Sequence, residues 1–146
     1  MPERLRALFI DHLSIPRGKY LPASKIDDAA SRFARATFAV HYDRDLMLDA
    51  PHALVREGMP DMELRWRKVD IRDGWEPDTK IVLGDLYDHL GQPLPLCPRG
   101  ALKRAIAAWE AHGLRPKLGI ELEAYAFQGD DSGRLRPYDA PGGVVY

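Results

Sequence analysis

Gly119-Ile-Glu-Leu-Glu-Ala-Tyr-Ala-Phe127 alternates between two kinds of side chain. In an extended chain, residues two apart share a face. Leu118, Ile120, Leu122, Ala124 and Ala126 form an apolar row, and Glu121, Glu123 and Tyr125 form the opposite one. The pattern predicts a strand over residues 117–127. Gly129-Asp-Asp-Ser-Gly133 then predicts a turn, with residues 134–138 returning as a hairpin. Glu121 and Glu123 would stand roughly 7 Å apart on such a strand. That is too far for one hydrogen-bonded acid pair. It suits two neighbouring hard cations such as Mg²⁺ or Mn²⁺, which take oxygen ligands. A solvent-facing strand gives the same alternation, and no nearby Asp, Glu or His obviously completes a metal shell.

Upstream of this stretch, Pro98 suits the first position of a helix whose apolar face is Leu102, Ala105, Ile106 and Trp109. Gly113 suits the residue just past its end. Residues 80–88 read as a strand closed by Gly91-Gln-Pro-Leu-Pro95, and Gly74-Trp-Glu-Pro77 as the turn before it. Met62, Leu64 and Trp66 alternate with Glu63, Arg65 and Arg67, which is a half-buried strand. The phase slips at Lys68, so a bulge or break is expected there. Residues 41–60 read as a long loop. Ser24, with Asp27 three residues on, reads as the cap of a helix. Its buried stripe would be Ile26, Ala29, Ala30, Phe33 and Thr37. Residues 5–12 read as a strand, 14–19 as a turn, and Tyr20-Leu-Pro22 as the returning partner. The expected class is α+β, with residues 1–97 closing as one small domain and 98–146 opening a larger one.

Composition narrows the function classes. The chain has 146 residues, with 21 Lys and Arg against 22 Asp and Glu. That near-neutral balance argues against a nucleic-acid partner, which calls for a basic excess or stripe. No apolar run approaches the roughly 18 residues that span a bilayer, and the start lacks the apolar core of a signal peptide. No membrane partner is expected, and the single Cys97 fits a reducing cytoplasm. The five histidines show no zinc spacing. Arg17-Gly18-Lys19 lacks the glycines and following helix of a phosphate loop and reads as a turn. Trp66, Trp75 and Trp109 read as core anchors, Cys97 as a structural thiol, and Asp130-Asp131 as a solvated tip.

The ordered set of these segments resembles the glutamine synthetase family along nearly the whole chain. Gly119-Ile-Glu-Leu-Glu-Ala-Tyr-Ala-Phe127 is similar to the Glu-x-Glu strand that opens the family's catalytic domain. Asp11-His-Leu-Ser-Ile-Pro-Arg-Gly-Lys19 resembles its first hairpin. Gly58-Met-Pro-Asp61 through Leu64 resembles its Asp-containing strand, and Trp75-Glu-Pro-Asp-Thr79 with Leu83-Gly-Asp85 its Trp-x-Pro and next strand. Gly91-Gln-Pro, Pro98-Arg99 and Leu102 resemble the lead-in to the following helix.

The resemblance implies a β-grasp domain followed by the start of a catalytic domain. It implies a ligase that activates the γ-carboxylate of glutamate with ATP as γ-glutamyl phosphate, which ammonia or an amine then attacks. Mg²⁺ or Mn²⁺ hold the phosphates in that family. The resemblance makes Glu121 and Glu123 ligands to different metal ions. It makes Asp61 a catalytic residue that approaches the active site of a neighbouring subunit in a homo-oligomer. Two departures favour a γ-glutamyl-amine ligase branch. The family's Asp-Gly-Ser-Ser type loop has no counterpart at His41-Tyr-Asp-Arg-Asp45, and Trp66-Arg67 replaces an expected Pro-Asp. The ATP site and remaining metal ligands would lie downstream of Tyr146, so the chain reads as an amino-terminal portion, inactive alone. The alternative is a stand-alone, non-catalytic β-grasp interaction module.

Overall fold

The computed structural model describes residues 4–50 and 53–138 of the chain. His52 and the motif-like residues 142–146 lie outside them. The described residues form an α+β fold in two compact units, divided between Leu114 and Arg115. None of their helices is long and apolar enough to cross a membrane.

The first unit begins with a hairpin. Strand β1 (Arg4–Ile10) pairs antiparallel with β2 (Pro16–Pro22). Leu5, Ala7 and Phe9 are buried on one face of β1, as period-2 alternation requires. The turn falls at residues 11–15, earlier than expected, and Arg17-Gly18-Lys19 lies within β2 rather than in a turn. The cause is Asp11. Its carboxylate is buried and accepts the N–H groups of Leu13 and Ile15, both at 2.9 Å, and Arg17 Nε at 2.6 Å. These bonds close the loop before Pro16 and free the rest for pairing. Gly18 must be glycine because a Cβ there would sit 2.3 Å from the Ala7 carbonyl oxygen.

Residues 23–39 do not form the expected helix. Ala23–Lys25 and Arg35–Ala39 are short 3₁₀ turns, and Ala30–Ala34 is strand β3. Pro22, not Ser24, stands at the cap position of the first turn, with no side-chain cap. Ala29 has φ of +54°, which no right-handed helix accommodates. The alanine-rich stripe buries little apolar area as a helix, whereas β3 gains a ladder with β4 (Asp61–Arg65). Ile26, Ala29 and Phe33 still reach the core, Phe33 meeting the Phe9 ring edge-on at 5.1 Å.

Met62, Leu64 and Trp66 are buried as their alternation predicts, and the slip at Lys68 is a 3₁₀ break over Lys68–Asp70. The expected single strand over 80–88 is two strands. After β5 (Arg72–Asp73) and the turn at Gly74, β6 (Thr79–Leu83) runs parallel to β1 in one sheet of order β2-β1-β6-β5. Past Gly84, β7 (Asp85–Tyr87) joins the other, of order β3-β4-β7. Gly84 donates its N–H to the Leu8 carbonyl at 3.0 Å. A Cβ on it would meet the Arg65 carbonyl oxygen at 2.6 Å and Leu64 Cδ1 at 2.7 Å. Both sheets feed one core, which Leu5, Phe9, Phe38, Leu64, Val82 and Leu86 share with Leu94 and Cys97.

Helix α1 (Pro98–Ala111) starts at Pro98 as expected. Cys97 Sγ accepts the Gly100 N–H at 3.4 Å, giving the buried thiol a capping role. His112 caps the end and Gly113 follows at φ of +71°. Arg99 and Lys103 both bind Asp85, tying the helix to β7. The predicted apolar face is not buried: Leu102 and Trp109 are each 52% exposed. Trp75 is also exposed, so Trp66 alone of the three tryptophans anchors the core. In the second unit, β8 (Phe127–Gly129) and β9 (Leu135–Pro137) form the expected hairpin. Its turn is held by Asp130 Oδ1, which accepts the N–H groups of Ser132 and Arg134, both at 3.0 Å.

Two outcomes follow from this packing. Gly84→Ala destabilises the first unit by about 1–3 kcal/mol, the range for a forced overpacking. Gly119→Ala, whose Cβ meets nothing within 4 Å, leaves it unchanged; urea unfolding separates the two. Burial pushes the Asp11 carboxyl up, but Arg17 and the N–H groups of Ile15 and Leu13 outweigh it and hold the group below the usual carboxylate range. Asp11 therefore adds stability above the ordinary carboxylate value of about 3.9, and that contribution disappears as pH falls through its lower folded value. Asp11→Asn removes this acid-side slope and costs about 2–4 kcal/mol near neutral pH, since a guanidinium and two N–H groups lose a charged acceptor.

Candidate active-site residues

Asp61 is the first residue of β4 and lies opposite Ala34 of β3. The left-handed backbone at Gly58 (φ +99°) and Met59 (φ +49°) turns the chain into this strand, and Met59 N–H donates to the Leu54 carbonyl at 3.0 Å. Because Met62 and Leu64 are buried, Asp61, Glu63 and Arg65 must project outward. They border a cavity of about 430 Å³ together with Arg32, Met59 and the turn at His89. Arg65 pairs with Glu63 and lies 4.1 Å from the Tyr87 ring centroid. Asp88 accepts the N–H groups of Gln92 at 2.8 Å and Leu90 at 2.9 Å, which hold its carboxyl below the usual range, Gln92 chiefly. The Asp61 side chain has no hydrogen bond or ion pair among the described residues.

Glu121 and Glu123 belong to the second unit. The expected strand over 117–127 is not formed: residues 114–126 carry no regular structure, and the ladder begins at Phe127, with one further bond from Tyr138 N–H to the Ala126 carbonyl at 2.9 Å. The physical reason is local. Among the described residues the returning segment, 135–138, reaches back only to Ala126, and Leu118, Ile120 and Leu122 are 78%, 88% and 93% exposed. The two carboxylates are exposed and open to ligands, but no ladder fixes their spacing. Among the described residues, no group of three or more His, Cys, Asp or Glu side chains could hold a metal ion.

Sequence reasoning missed an exposed stack in the first unit. Arg6 lies 4.6 Å over the Trp75 ring and 5.6 Å over Tyr20, with Arg4 5.1 Å from Tyr20. Tyr20 Oη donates to Glu76 at 2.7 Å, which raises its pKa, and Arg6 donates to the same carboxylate at 3.1 Å. The three segments meet only through pairing of β1 with β2 and β6, which no local spacing reveals. Arg32 was also missed, because a helical reading of residues 24–37 put it among scattered surface charges.

No family model matches the chain. Individual proteins do. Type-1 glutamine synthetase 2 of Dictyostelium discoideum is 30% identical over 125 residues, 83% of this chain and 24% of that protein. The glutamine synthetase of Methanosarcina mazei is 30% identical over 135 residues, 88% of this chain and 28% of that protein. The γ-glutamylanilide synthase of an Acinetobacter species is 45% identical over 51 residues, 35% of this chain and 10% of that protein. The chain is related to the glutamine synthetases. Solved structures agree. A glutamine synthase homolog superimposes with a TM-score of 0.63 at 16% identity, covering 77% of this chain and 28% of that one, a likeness of fold. GmaS in complex with ADP superimposes at 0.56 and 25% identity, covering 76% and 24%. The related proteins include glutamine synthetase and γ-glutamylanilide synthase ligases, and the chain spans about a quarter of the length of these glutamine synthetases.

For the glutamine synthetase-like Glu-x-Glu, one outcome follows from the geometry. Two exposed carboxylates fall short of the six oxygens an octahedral Mn²⁺ takes, so this chain binds Mn²⁺ no more tightly than about 1 mM. Calorimetry that finds micromolar affinity lost in Glu121→Gln would show a more complete shell.

Proposed function

We propose that this chain supplies the amino-terminal part of an ATP- and divalent-metal-dependent ligase. The enzyme joins glutamate, through its γ-carboxylate and a γ-glutamyl phosphate, to ammonia or an amine. The observation that carries this reading is likeness to ligases over 83% of the chain. The 45% match to a γ-glutamylanilide synthase favours an amine acceptor over ammonia, as does the missing Asp-Gly-Ser-Ser loop.

Residues 1–97 are read as a β-grasp domain, supported by a central β1 with antiparallel β2 and parallel β6 beside it. Residues 98–146 are read as the start of the catalytic domain. In this reading Asp61 is a catalytic residue that faces the acceptor amine at a neighbouring subunit of a cytoplasmic homo-oligomer. Its free, outward carboxylate supports that role, since it can accept a proton or hydrogen bond from an amine. Glu121 and Glu123 are read as ligands to different Mg²⁺ or Mn²⁺ ions. As exposed oxygen donors they fit hard cations, with the remaining ligands supplied from outside the pair. When bound, such ions neutralise charge on the transferring phosphoryl group.

The test is a chimera in which this chain replaces the aligned part of the Methanosarcina mazei relative. It should release phosphate from ATP only with glutamate and an amine. Glu121→Gln or Glu123→Gln should lower kcat by at least about 10-fold to 100-fold, the range seen when even a supporting contact of a metal site is lost. Asp61→Asn should raise KM for the amine. The 146-residue chain alone should turn over no ATP. A chimera that assembles but is inactive would favour the non-catalytic module; full activity in both glutamate variants would remove their metal role.

A further inference from the structure

Arg115-Pro-Lys-Leu-Gly-Ile-Glu-Leu-Glu123 is complementary to its own reverse. Counted outward from Gly119, the cations Lys117 and Arg115 match the anions Glu121 and Glu123, and Leu118 matches Ile120. The whole stretch is exposed and lies within the second unit. Among the described residues, none of its backbone or side-chain groups has a hydrogen bond or ion pair. The neighbouring strands β8 and β9 are paired with each other, and the returning segment reaches back only to Ala126. Residues 115–123 thus carry a strand's alternation with no strand beside them among the described residues.

We propose that residues 115–123 of two copies of this chain pair antiparallel about a twofold axis at Gly119. In an antiparallel ladder one opposed pair fixes all the others. With Gly119 on the axis, Lys117 faces Glu121 of the second copy and Arg115 faces its Glu123. Leu118 faces Ile120, and Pro116 faces Leu122. Each copy gives and receives the same contacts, as an isologous interface requires. One face of the ladder then holds only opposite-charge pairs and the other only apolar ones, and both kinds stabilise a sheet. Pro116 shares its parity with Leu118, Ile120 and Leu122. If the charged pairs are the hydrogen-bonded ones, the ladder asks no N–H of Pro116, and the apolar pairs take the closer, non-bonded positions.

Other pairings are worse. Moving the axis to Ile120 sets Glu121 against Gly119 and leaves Lys117 with Glu123 as the one kind of ion pair. Moving it to Glu121 sets that residue against itself, and to Leu122 sets Glu121 against Glu123. A parallel, in-register ladder opposes every charge to its like, which is destabilising. The charge order therefore selects both direction and register. Exposed ion pairs are individually weak, so the expected Kd is about 0.1–1 mM, the weak end of the affinity scale. The pairing goes beyond the ligase reading and does not rest on it, because it is measured on this chain without ATP, glutamate or metal.

The experiment is a ¹H–¹⁵N dilution series of the 146-residue chain into the millimolar range, with diffusion measured alongside. The amides of residues 115–123 should shift with concentration while diffusion slows towards that of a dimer. A mixture of ¹³C-labelled and unlabelled chains should show contacts between copies from Leu118 to Ile120. Lys117→Glu and Glu121→Lys should each weaken self-association at least about tenfold, since each turns two attractive pairs repulsive. Mixed one to one, the two variants should associate with each other, because each supplies the charge the other has lost. Amides of the first unit and of β8 and β9, unshifted in each variant, show that folding is intact. Any of four results overturns the proposal: no concentration dependence, association unaffected by both variants, inter-copy contacts in another register, or no association in the mixture. A dimer of this register beside an inactive chimera leaves the pairing standing and removes the ligase reading. An active chimera beside a chain that stays monomeric does the reverse.

Discussion

The chain of the first unit passes between its two sheets three times, and the unit depends on the tightest of these passages. The chain leaves one sheet after Leu83 and enters the other at Asp85, and only Gly84 lies between them. Its backbone is pressed against the Arg65 carbonyl and the Leu64 side chain while its N–H bonds to Leu8. That close approach lies at the seam of the two sheets, beside the core that Leu5, Leu64, Val82 and Leu86 share. No side chain fits there, so the junction is fixed by steric exclusion and not by attraction. The remaining elements close around it: the Asp11 clasp shapes the hairpin on one side, and Asp85 anchors α1 on the other.

The same crossing decides what the outward surface offers. Once Met62 and Leu64 face the core, Asp61, Glu63 and Arg65 have no choice of side. Pairing of β3 adds Arg32 to this face, and β7 adds Tyr87. Internal pairing of Glu63, Arg65 and Asp88 leaves Arg32 and Asp61 facing the cavity. A cavity bordered by open charges is therefore a by-product of packing the opposite face, and it places the family-matched aspartate where a ligand can reach it.

The exposed apolar groups of α1 and of residues 118–122 have a different character. Leu102 and Trp109 follow a helical apolar pattern, and Leu118, Ile120 and Leu122 follow a strand-like one, yet all are exposed. Sequences written for burial but exposed to this degree fit a chain that spans about a quarter of its glutamine synthetase relatives.

Much of this was legible in the sequence. The first strand, the burial of Met62, Leu64 and Trp66, the helix start at Pro98, the end at Gly113 and the turn at Asp130 all follow from local rules. Alternation, proline position and Asx hydrogen bonds act over a few residues and need no partner. The resemblance carried by Glu121-x-Glu123 and the upstream motifs was legible for the same reason, being written in residue order. Tertiary structure alone decided the rest. Residues 24–37 have a helical apolar period, but a ladder with β4 and the left-handed Ala29 outweigh the small buried area that an alanine-rich stripe gains as a helix. Residues 80–88 read as one strand because sequence does not show that Gly84 meets the Arg65 carbonyl. Residues 117–126 alternate as a strand does, but a strand needs a partner of equal length, and among the described residues β9 supplies only three. Arg32 joined Asp61 only through register. Local chemistry determines what each segment prefers; which preference wins is set by the neighbour that satisfies its backbone.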